Sequence, residues 1–320
     1  MRSRVFCFTL LSTIAISVAA SLPAQAQRAR VFVSVTGDDA NPCTAGSPCK
    51  TFRHAHDVVL AGGEISVLDT GGYGQISIIK AISIVSPAGV EASIAIPSGQ
   101  VGILISAPTN AKVSLRGLTL DGTGAGAVGI ELNGLNGGVS LSIEDCVVRN
   151  MTQDGLFFVS IVPTALNLSV SNSTFSDNGA DGIHIATQGS GPVTGSVDNT
   201  RLYGNGSAGL EVSGLNGLGA LAVAVTDSVA SNNGTGFFVE SNTGKSPSNL
   251  SLTRAQAAGN GFGVVANQTN ATLWLAQTAV TANGTGFVAT AGGVVKSYGD
   301  NYLAADNGAP NGSLSSVAKQ

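Results

Sequence analysis

NGADGIHI, which runs from Asn178 to Ile185, is the clearest copy of a phrase that recurs through the chain. Further copies are NGSAGLEV from Asn205 and NNGTGFFV from Asn232, with a degenerate copy from Asn150 and shortened copies from Asn260 and Asn283. The second glycine of each copy falls at regular intervals, at Gly155, Gly182, Gly209, Gly236, Gly263 and Gly286, and Gly129 extends the series backward. The steps are 26 to 27 residues, with a last step of 23. A fixed period in this range predicts a solenoid.

The residues after each of these glycines alternate in character. The first and third are apolar, as Ile183 and Ile185 or Leu210 and Val212 illustrate, and the one between them is mixed. This alternation predicts a strand with one face in a core and one face outward. Two further short strands precede the next asparagine, so about 27 residues make one coil.

Asn-Gly ordinarily marks a two-residue hairpin, but here the chain returns to the same phrase one period later. Asparagine tolerates the left-handed backbone of a sharp corner, and its side chain can bond to the asparagine of the next coil. Coils stacked in parallel about 4.8 Å apart bury apolar columns that no single coil could bury. We therefore predict an all-β, right-handed parallel β-helix of about nine coils between Gly62 and Tyr302. The fixed period argues against a β-sandwich, the alternative fold.

The first residues have the pattern of a secretory signal peptide, with Arg2 and Arg4, an apolar run, and cleavage after Ala26. We expect an exported protein, periplasmic or extracellular, without a transmembrane segment in the mature chain. Its domains are expected at 1–26 (signal peptide), 27–61 (entry strand, disulfide loop and capping helix), 62–303 (coils) and 304–320 (tail). Without the two signal-peptide arginines, 13 basic side chains face 19 acidic ones, which argues against a nucleic-acid partner.

The segment before the coils predicts a cap. Thr51 to Leu60 forms an amphipathic helix long enough to cover the open first coil, which would otherwise expose unpaired edges. Cys43 and Cys49 lie in a short loop of an exported protein, so we expect a disulfide between them. His54 and His56 are expected at the surface.

Residues 31–74 contain a strand, a Gly-Asp loop, a Pro-x-x-Thr-Phe helix start, a Gly-Gly turn, another strand and a Gly-Tyr pair. This order closely resembles the amino-terminal entry segment of secreted right-handed β-helix proteins of the pectate-lyase-like superfamily. The resemblance covers about forty residues, and the repeats behind it agree with it. It implies the fold and leaves the activity open.

Equivalent positions of stacked coils form columns, so residues distant in sequence become neighbours. The outward column contains Glu131, Phe157, His184, Glu211 and Phe238, and the position before the glycine places Asp154 beside Asp181. The two aspartates can provide oxygen ligands for Ca²⁺, which is the cofactor that the sequence suggests. Alternatively, Asp181, His184 and Glu211 can act as acid and base on a sugar, with Glu131, Phe157 and Phe238 as ligand-binding residues. Ordinary turn and surface chemistry explains the same residue types without a site.

The catalytic motifs of related enzymes are incomplete. NGADGIHI is similar to the Asn-Thr-Asp-Gly motif of polygalacturonases, but Ala180 replaces the threonine and the companion motifs are absent. Pectate lyases use an outward basic residue, for which Arg149 and Arg201 are candidates by proximity. We therefore favour a non-catalytic β-helix that binds a polysaccharide or cell-surface glycan or has a structural role. The alternative is a lyase, hydrolase or epimerase acting on acidic sugars.

Overall fold

The computed structural model describes residues 28–134, 137–304 and 306–318. The signal-peptide prediction for residues 1–26 lies outside these described residues. The described chain forms one short helix, α1 (Phe52–Val58), and 31 strands in three sheets whose strands pair in parallel with the previous and the next coil. This arrangement is a parallel β-helix, as the repeat period predicts.

The twelve-stranded sheet includes both ends of the described chain. Its strands are β1 (Arg28–Val33), β2 (Val59–Val67), β5 (Ile82–Val85), β8 (Lys112–Arg116), β11 (Ser140–Glu144), β14 (Leu166–Ser171), β17 (Val193–Asp198), β20 (Leu221–Thr226), β23 (Ser248–Thr253), β26 (Ala271–Ala276), β29 (Val294–Ser297) and β31 (Leu314–Ser316).

The ten-stranded sheet consists of short strands. They are β3 (Gly71–Gly72), β6 (Ala92–Ala95), β9 (Leu118–Asp121), β12 (Val147–Arg149), β15 (Thr174–Ser176), β18 (Arg201–Tyr203), β21 (Val229–Ser231), β24 (Gln256–Ala258), β27 (Ala279–Thr281) and β30 (Tyr302–Ala304).

The nine-stranded sheet carries the strand that follows each recurring glycine. Its members are β4 (Ile76–Ile78), β7 (Val101–Ile105), β10 (Val128–Gly134), β13 (Leu156–Ser160), β16 (Ile183–Thr187), β19 (Ala208–Ser213), β22 (Thr235–Glu240), β25 (Phe262–Asn267) and β28 (Thr285–Thr290). Nine and ten strands per sheet correspond to nine to ten coils, in agreement with the expected number.

The core is a continuous stack along the axis of the coils. The apolar residues on either side of the outward residues Glu131, Phe157, His184, Glu211 and Phe238 are buried, as predicted for Ile183, Leu210, Phe237, Ile185, Val212 and Val239. Full burial of one such side chain stabilises the fold by about 2 kcal/mol. Because each coil is only three short strands, this burial exists only between neighbouring coils.

A ladder of buried asparagine side chains joins the coils at one corner. The Nδ2 atom of each asparagine donates to Oδ1 of the next, at 2.9 Å from Asn178 to Asn205 and 2.9 Å from Asn205 to Asn233. The ladder continues through Asn260 and Asn283 and ends on the carboxylate of Asp306. The predicted bond between asparagines of successive coils is confirmed.

The left-handed backbone of this corner lies one residue earlier than we expected. Positive φ angles occur at the residue before the ladder asparagine, for example 55° at Asp177, 68° at Gly204 and 55° at Asn232. The expectation that a single asparagine both turns the chain and extends the ladder is therefore wrong for these copies. In these copies, two successive residues form the left-handed turn and the side-chain ladder.

The recurring glycine is required by close packing between coils. A Cβ atom at Gly182 would lie 2.7 Å from the carbonyl oxygen of Gly209 and 2.9 Å from Nδ2 of Asn205. Either contact is too short for a side chain of any size. The glycine therefore marks the point where the ladder and the neighbouring backbone approach most closely.

Helix α1 packs on the first coils and is shorter than the predicted Thr51 to Leu60, because β2 begins at Val59. Thr51 caps the helix by accepting a hydrogen bond from the backbone N–H of His54. His56 is buried, with 4% of its surface exposed, and its Nε2 atom accepts the backbone N–H of Ile79 at 3.3 Å. The prediction of a surface His56 is therefore wrong, because this ring turns toward the first strand of the nine-stranded sheet.

Cys43 and Cys49 form the expected disulfide, and Cys146 is a buried free thiol. Among the described residues, no helix combines the length and the apolar character needed to cross a membrane.

Candidate functional site

The outward column of the nine-stranded sheet is as the sequence predicts. Its register places Glu131 beside Phe157, Phe157 beside His184, His184 beside Glu211, and Glu211 beside Phe238. All five side chains are partly exposed, while the residues flanking them along each strand are buried. Strand alternation and parallel stacking thus bring five residues from five coils into one line.

Asp154 and Asp181 occupy the corner that precedes this column, and each binds the backbone of the next coil. Oδ1 of Asp154 accepts the N–H of Asp181 at 3.0 Å, and Oδ1 of Asp181 accepts the N–H of Ala208 at 2.7 Å. Both side chains are largely buried. One oxygen of each carboxylate therefore stabilises the turn by accepting a backbone hydrogen bond. The other oxygen of Asp181, Oδ2, is left to contact the outward column.

That second oxygen contacts His184. Nδ1 of His184 lies 3.0 Å from Oδ2 of Asp181 and 3.8 Å from Oε2 of Glu211. The side chains of Asp181, Glu211 and His184 are 6%, 12% and 21% exposed, so the imidazole is the most accessible of the three. We call these three residues the acid–imidazole cluster.

Burial and mutual contact separate the pKa values within this cluster. The pKa of Glu211 is raised to about 8, because burial together with the charge of Asp181 and a hydrogen bond with it outweigh the lowering by the charge of His184. Burial also opposes ionisation of Asp181, but hydrogen bonds with His184, the Ala208 N–H and Glu211 outweigh it and lower its pKa. Near neutral pH, Glu211 therefore carries a proton while Asp181 is ionised.

The other two ionisable groups respond to the same surroundings. Burial lowers the pKa of His184, but its hydrogen bond with Asp181 and the charges of Glu211 and Asp181 outweigh burial, so the net shift is upward. Burial raises the pKa of Asp154. Neighbouring acids with pKa values driven apart are a common feature of functional sites and also occur in structural networks.

Aromatic rings lie on both sides of the cluster. The ring of Phe157 stacks on the imidazole of His184, with 5.3 Å between centroids and 27° between planes, and Phe238 follows Glu211 on the next coil. Phe262, which is 47% exposed, belongs to the same face and was not predicted, although it stands in the position of Asp154 and Asp181 before the glycine.

Glu240 is a second residue of this face that sequence reasoning missed. It stands two positions after Phe238 on β22, and its Oε1 accepts a hydrogen bond from Ser213 Oγ at 2.9 Å. The signal for it was the period of two along the strand, which turns Phe238 and Glu240 to the same side.

The side chains of the cluster are close enough together to bind one cation. The ligand atoms of Asp181, His184 and Glu211 all lie within 4.8 Å of one another. An imidazole nitrogen with two carboxylate oxygens suits a first-row transition metal better than calcium, which takes oxygen ligands. We predicted that Asp154 and Asp181 bind calcium. In the structure, one oxygen of each aspartate already accepts a backbone N–H, and the group of possible metal ligands includes His184.

A family model for the right-handed β-helix region matches residues 101–292. The chain belongs to this family. No curated protein matches the sequence. Among solved structures, the β-helix is similar to the pectate lyase Pel9A, with a TM-score of 0.61 and 16% sequence identity over 92% of this chain and 79% of that one. It is also similar to XylC in its complex with xylose, with a TM-score of 0.59 and 10% identity over 90% of this chain and 70% of that one. At such low identity these similarities concern the fold.

Within this right-handed β-helix, the two candidate basic residues lie on a different face from the cluster. Arg149 ends β12 and Arg201 begins β18, both in the ten-stranded sheet. The Nε atom of Arg149 is 2.9 Å from Oδ2 of Asp121 and is thereby held on that face. Proximity in sequence to the recurring phrase did not bring these arginines to the acid–imidazole cluster, because they precede the corner of the coil.

Proposed function

We propose that this protein is an exported β-helix that binds a polysaccharide across its nine-stranded sheet. The observation that carries the proposal is the outward line of Phe157, His184, Glu211 and Phe238 on four consecutive coils. Aromatic rings stack on the apolar faces of sugar rings, and the polar groups between them bond to hydroxyl groups. Both similar structures named above have carbohydrate-related names, a pectate lyase and a complex with xylose, which supports the ligand class.

Export is part of the same proposal. The Cys43–Cys49 disulfide supports it, because disulfides persist mainly in oxidising compartments. The signal peptide predicted for residues 1–26 agrees with it. Cleavage is tested by expressing the complete chain in a bacterial host and determining the amino terminus of the protein recovered outside the cytoplasm.

The binding proposal is tested by affinity electrophoresis in gels that contain neutral, acidic or basic polysaccharides. We expect retardation in at least one gel, and about tenfold weaker binding after Phe238→Ala, the loss of one stacking surface. Tyr203→Ala is the matched control, because Tyr203 is a 38% exposed aromatic residue on the ten-stranded sheet. Equal losses in the two variants, or no retardation in any gel, would contradict the proposal.

A second candidate function is acid–base chemistry on a sugar by Asp181, His184 and Glu211. The contact between ionised Asp181 and protonated Glu211 favours it, since such a pair can accept and donate a proton at one pH. In this function, the protonated carboxyl of Glu211 donates to a departing oxygen, while Asp181 orients and charges the imidazole of His184. The test is turnover of polysaccharides with and without divalent cations, and Glu211→Gln is expected to abolish any activity found. Absence of turnover in the wild type would leave the binding function alone.

A further inference from the structure

Charge is distributed unequally over the three sheets. As the structure describes them, the strands of the nine-stranded sheet contain no Lys or Arg, and they carry Glu131, Glu211 and Glu240 with Asp154 and Asp181 at their corners. The basic residues that lie on strands belong to the other two sheets: Arg28, Arg30, Lys112, Arg116, Arg149, Arg201 and Lys296. The candidate face is therefore the acidic side of the solenoid.

The acidity of this face is not neutralised within the molecule. Among the ion pairs of the described residues, none includes Glu131 or Glu240. The cation of the acid–imidazole cluster, His184, already pairs with the carboxylate of Asp181. A ligand that approaches along the outward column meets negative charge at Glu131 before the cluster and at Glu240 beyond it.

Carboxyl groups and aromatic rings share one line along the axis. Glu131, Phe157, His184, Glu211 and Phe238 follow one another at one coil spacing, about 4.8 Å. An extended hexopyranose chain advances by a similar distance per sugar, so its ring faces and its substituents can meet rings and carboxylates in turn. Ammonium substituents would gain both carboxylate pairing and attraction to the aromatic faces.

We propose that the ligand of this face is a cationic amino-sugar polymer, a glucosamine-type chain with free amino groups, lying along the axis between Glu131 and Glu240. This inference rests on the proposed polysaccharide-binding function and names its substrate class. Charge complementarity decides it, because Glu131 and Glu240 have no cationic partner among the described ion pairs and His184 already pairs with Asp181, so the carboxylates of an acidic sugar would meet unpaired like charges. This ligand class therefore differs from the acidic sugars that we named as substrates for the alternative enzymatic function.

The experiment is isothermal titration calorimetry at mildly acidic pH with three oligosaccharides of equal length. They are the glucosamine oligomer, its N-acetylated counterpart, which has the same backbone without charge, and a galacturonate oligomer. We expect the glucosamine oligomer to bind at least about tenfold more tightly than the N-acetylated one, the sum of a few partly exposed ion pairs. Added salt is expected to weaken this binding.

Two charge variants locate the binding on the face. Glu131→Gln combined with Glu240→Gln is expected to remove most of the preference for the glucosamine oligomer. Glu144→Gln removes one carboxylate from the twelve-stranded sheet and is expected to leave the preference unchanged. Circular dichroism checks that each variant folds.

The outcomes separate this inference from the function on which it rests. Equal binding of the glucosamine and N-acetylated oligomers, or tighter binding of the galacturonate oligomer, would overturn the amino-sugar assignment and retain a polysaccharide-binding face. A preference that Glu144→Gln abolishes as strongly as the double variant would overturn it as well. Failure of all three oligomers to bind would overturn the assignment, and failure in the polysaccharide gels would overturn the wider function.

Discussion

Nδ1 of His184 lies 3.0 Å from Oδ2 of Asp181, and the other oxygen of the same carboxylate, Oδ1, accepts the backbone N–H of Ala208 on the next coil. One carboxylate thus joins the structural corner of the solenoid to its outward face. Any change in the charge of the acid–imidazole cluster should therefore change the stability of the fold. This coupling makes the cluster accessible to stability measurements as well as to binding assays.

The pH dependence of stability follows from Glu211. Its carboxyl group has a reference pKa of 4.5 and a folded pKa of about 8, so between these values the folded state retains a proton that the unfolded state has lost. Stability is therefore expected to fall as pH rises from about 4.5 to about 8. The raised pKa of His184 acts in the same direction above its reference value of 6.5.

Urea denaturation across this pH window measures the effect. Glu211→Gln keeps a neutral side chain of similar shape, so we expect its stability to change less with pH than that of the wild type. Glu144→Gln serves as a control with the same chemical change on another sheet. Parallel curves for the wild type and Glu211→Gln would show that Glu211 does not titrate as described.

Leu210→Asp is expected to abolish soluble protein. Leu210 is fully buried between Ile183 and Phe237, and a lone carboxylate has no partner in that stack. The expected loss exceeds about 4 kcal/mol, which is comparable to the whole stability of many domains. Ser196→Asp places the same charge on the exposed face of β17 and should leave the yield unchanged. Soluble expression of folded Leu210→Asp protein would contradict the predicted packing.

The neighbouring residues Asn232 and Asn233 should respond differently to substitution. Asn233→Ala removes a side chain that donates to Asn260 and Leu202 and accepts from Asn205, leaving several buried polar groups without partners. We expect a loss of about 3 kcal/mol or more in the free energy of unfolding. Asn232 has a φ of 55° and is exposed, so Asn232→Gly should change stability by only a few tenths of a kcal/mol. Similar losses for both, measured by urea denaturation, would refute the division of roles at this corner.

Asp181→Asn is expected to weaken divalent-cation binding while leaving the circular dichroism spectrum unchanged. The amide keeps an oxygen for the Ala208 N–H but loses the charge directed at His184 and Glu211. Calorimetry with Ca²⁺ and with Zn²⁺ on the wild type, Asp181→Asn and His184→Gln tests the site, because only a transition-metal site should depend on His184. If neither ion binds the wild type, the cluster is not a cation site.

The repeated phrase was sufficient to predict the coil, the inward stack and the asparagine ladder. Each of these depends on a period that the residues display directly, and neighbours in a column follow from that period alone. The outward line of Glu131, Phe157, His184, Glu211 and Phe238 was predictable for the same reason. Helix α1 was predicted with a longer extent, since its end is set by the pairing of β2 with β1 and not by the helix's own apolar pattern.

Counting along a strand and from one coil to the next was enough to predict which residues share a column and which face the core. The contacts between individual atoms exist only in the folded chain. Three features depend on how the chain packs, which the residue types do not show. They are the hydrogen bond from a backbone N–H to Oδ1 of Asp181, the burial of His56 and the left-handed backbone at Asp177. The separation of the pKa values of Asp181 and Glu211 has the same origin, since burial and contact between coils exist only once the coils are stacked.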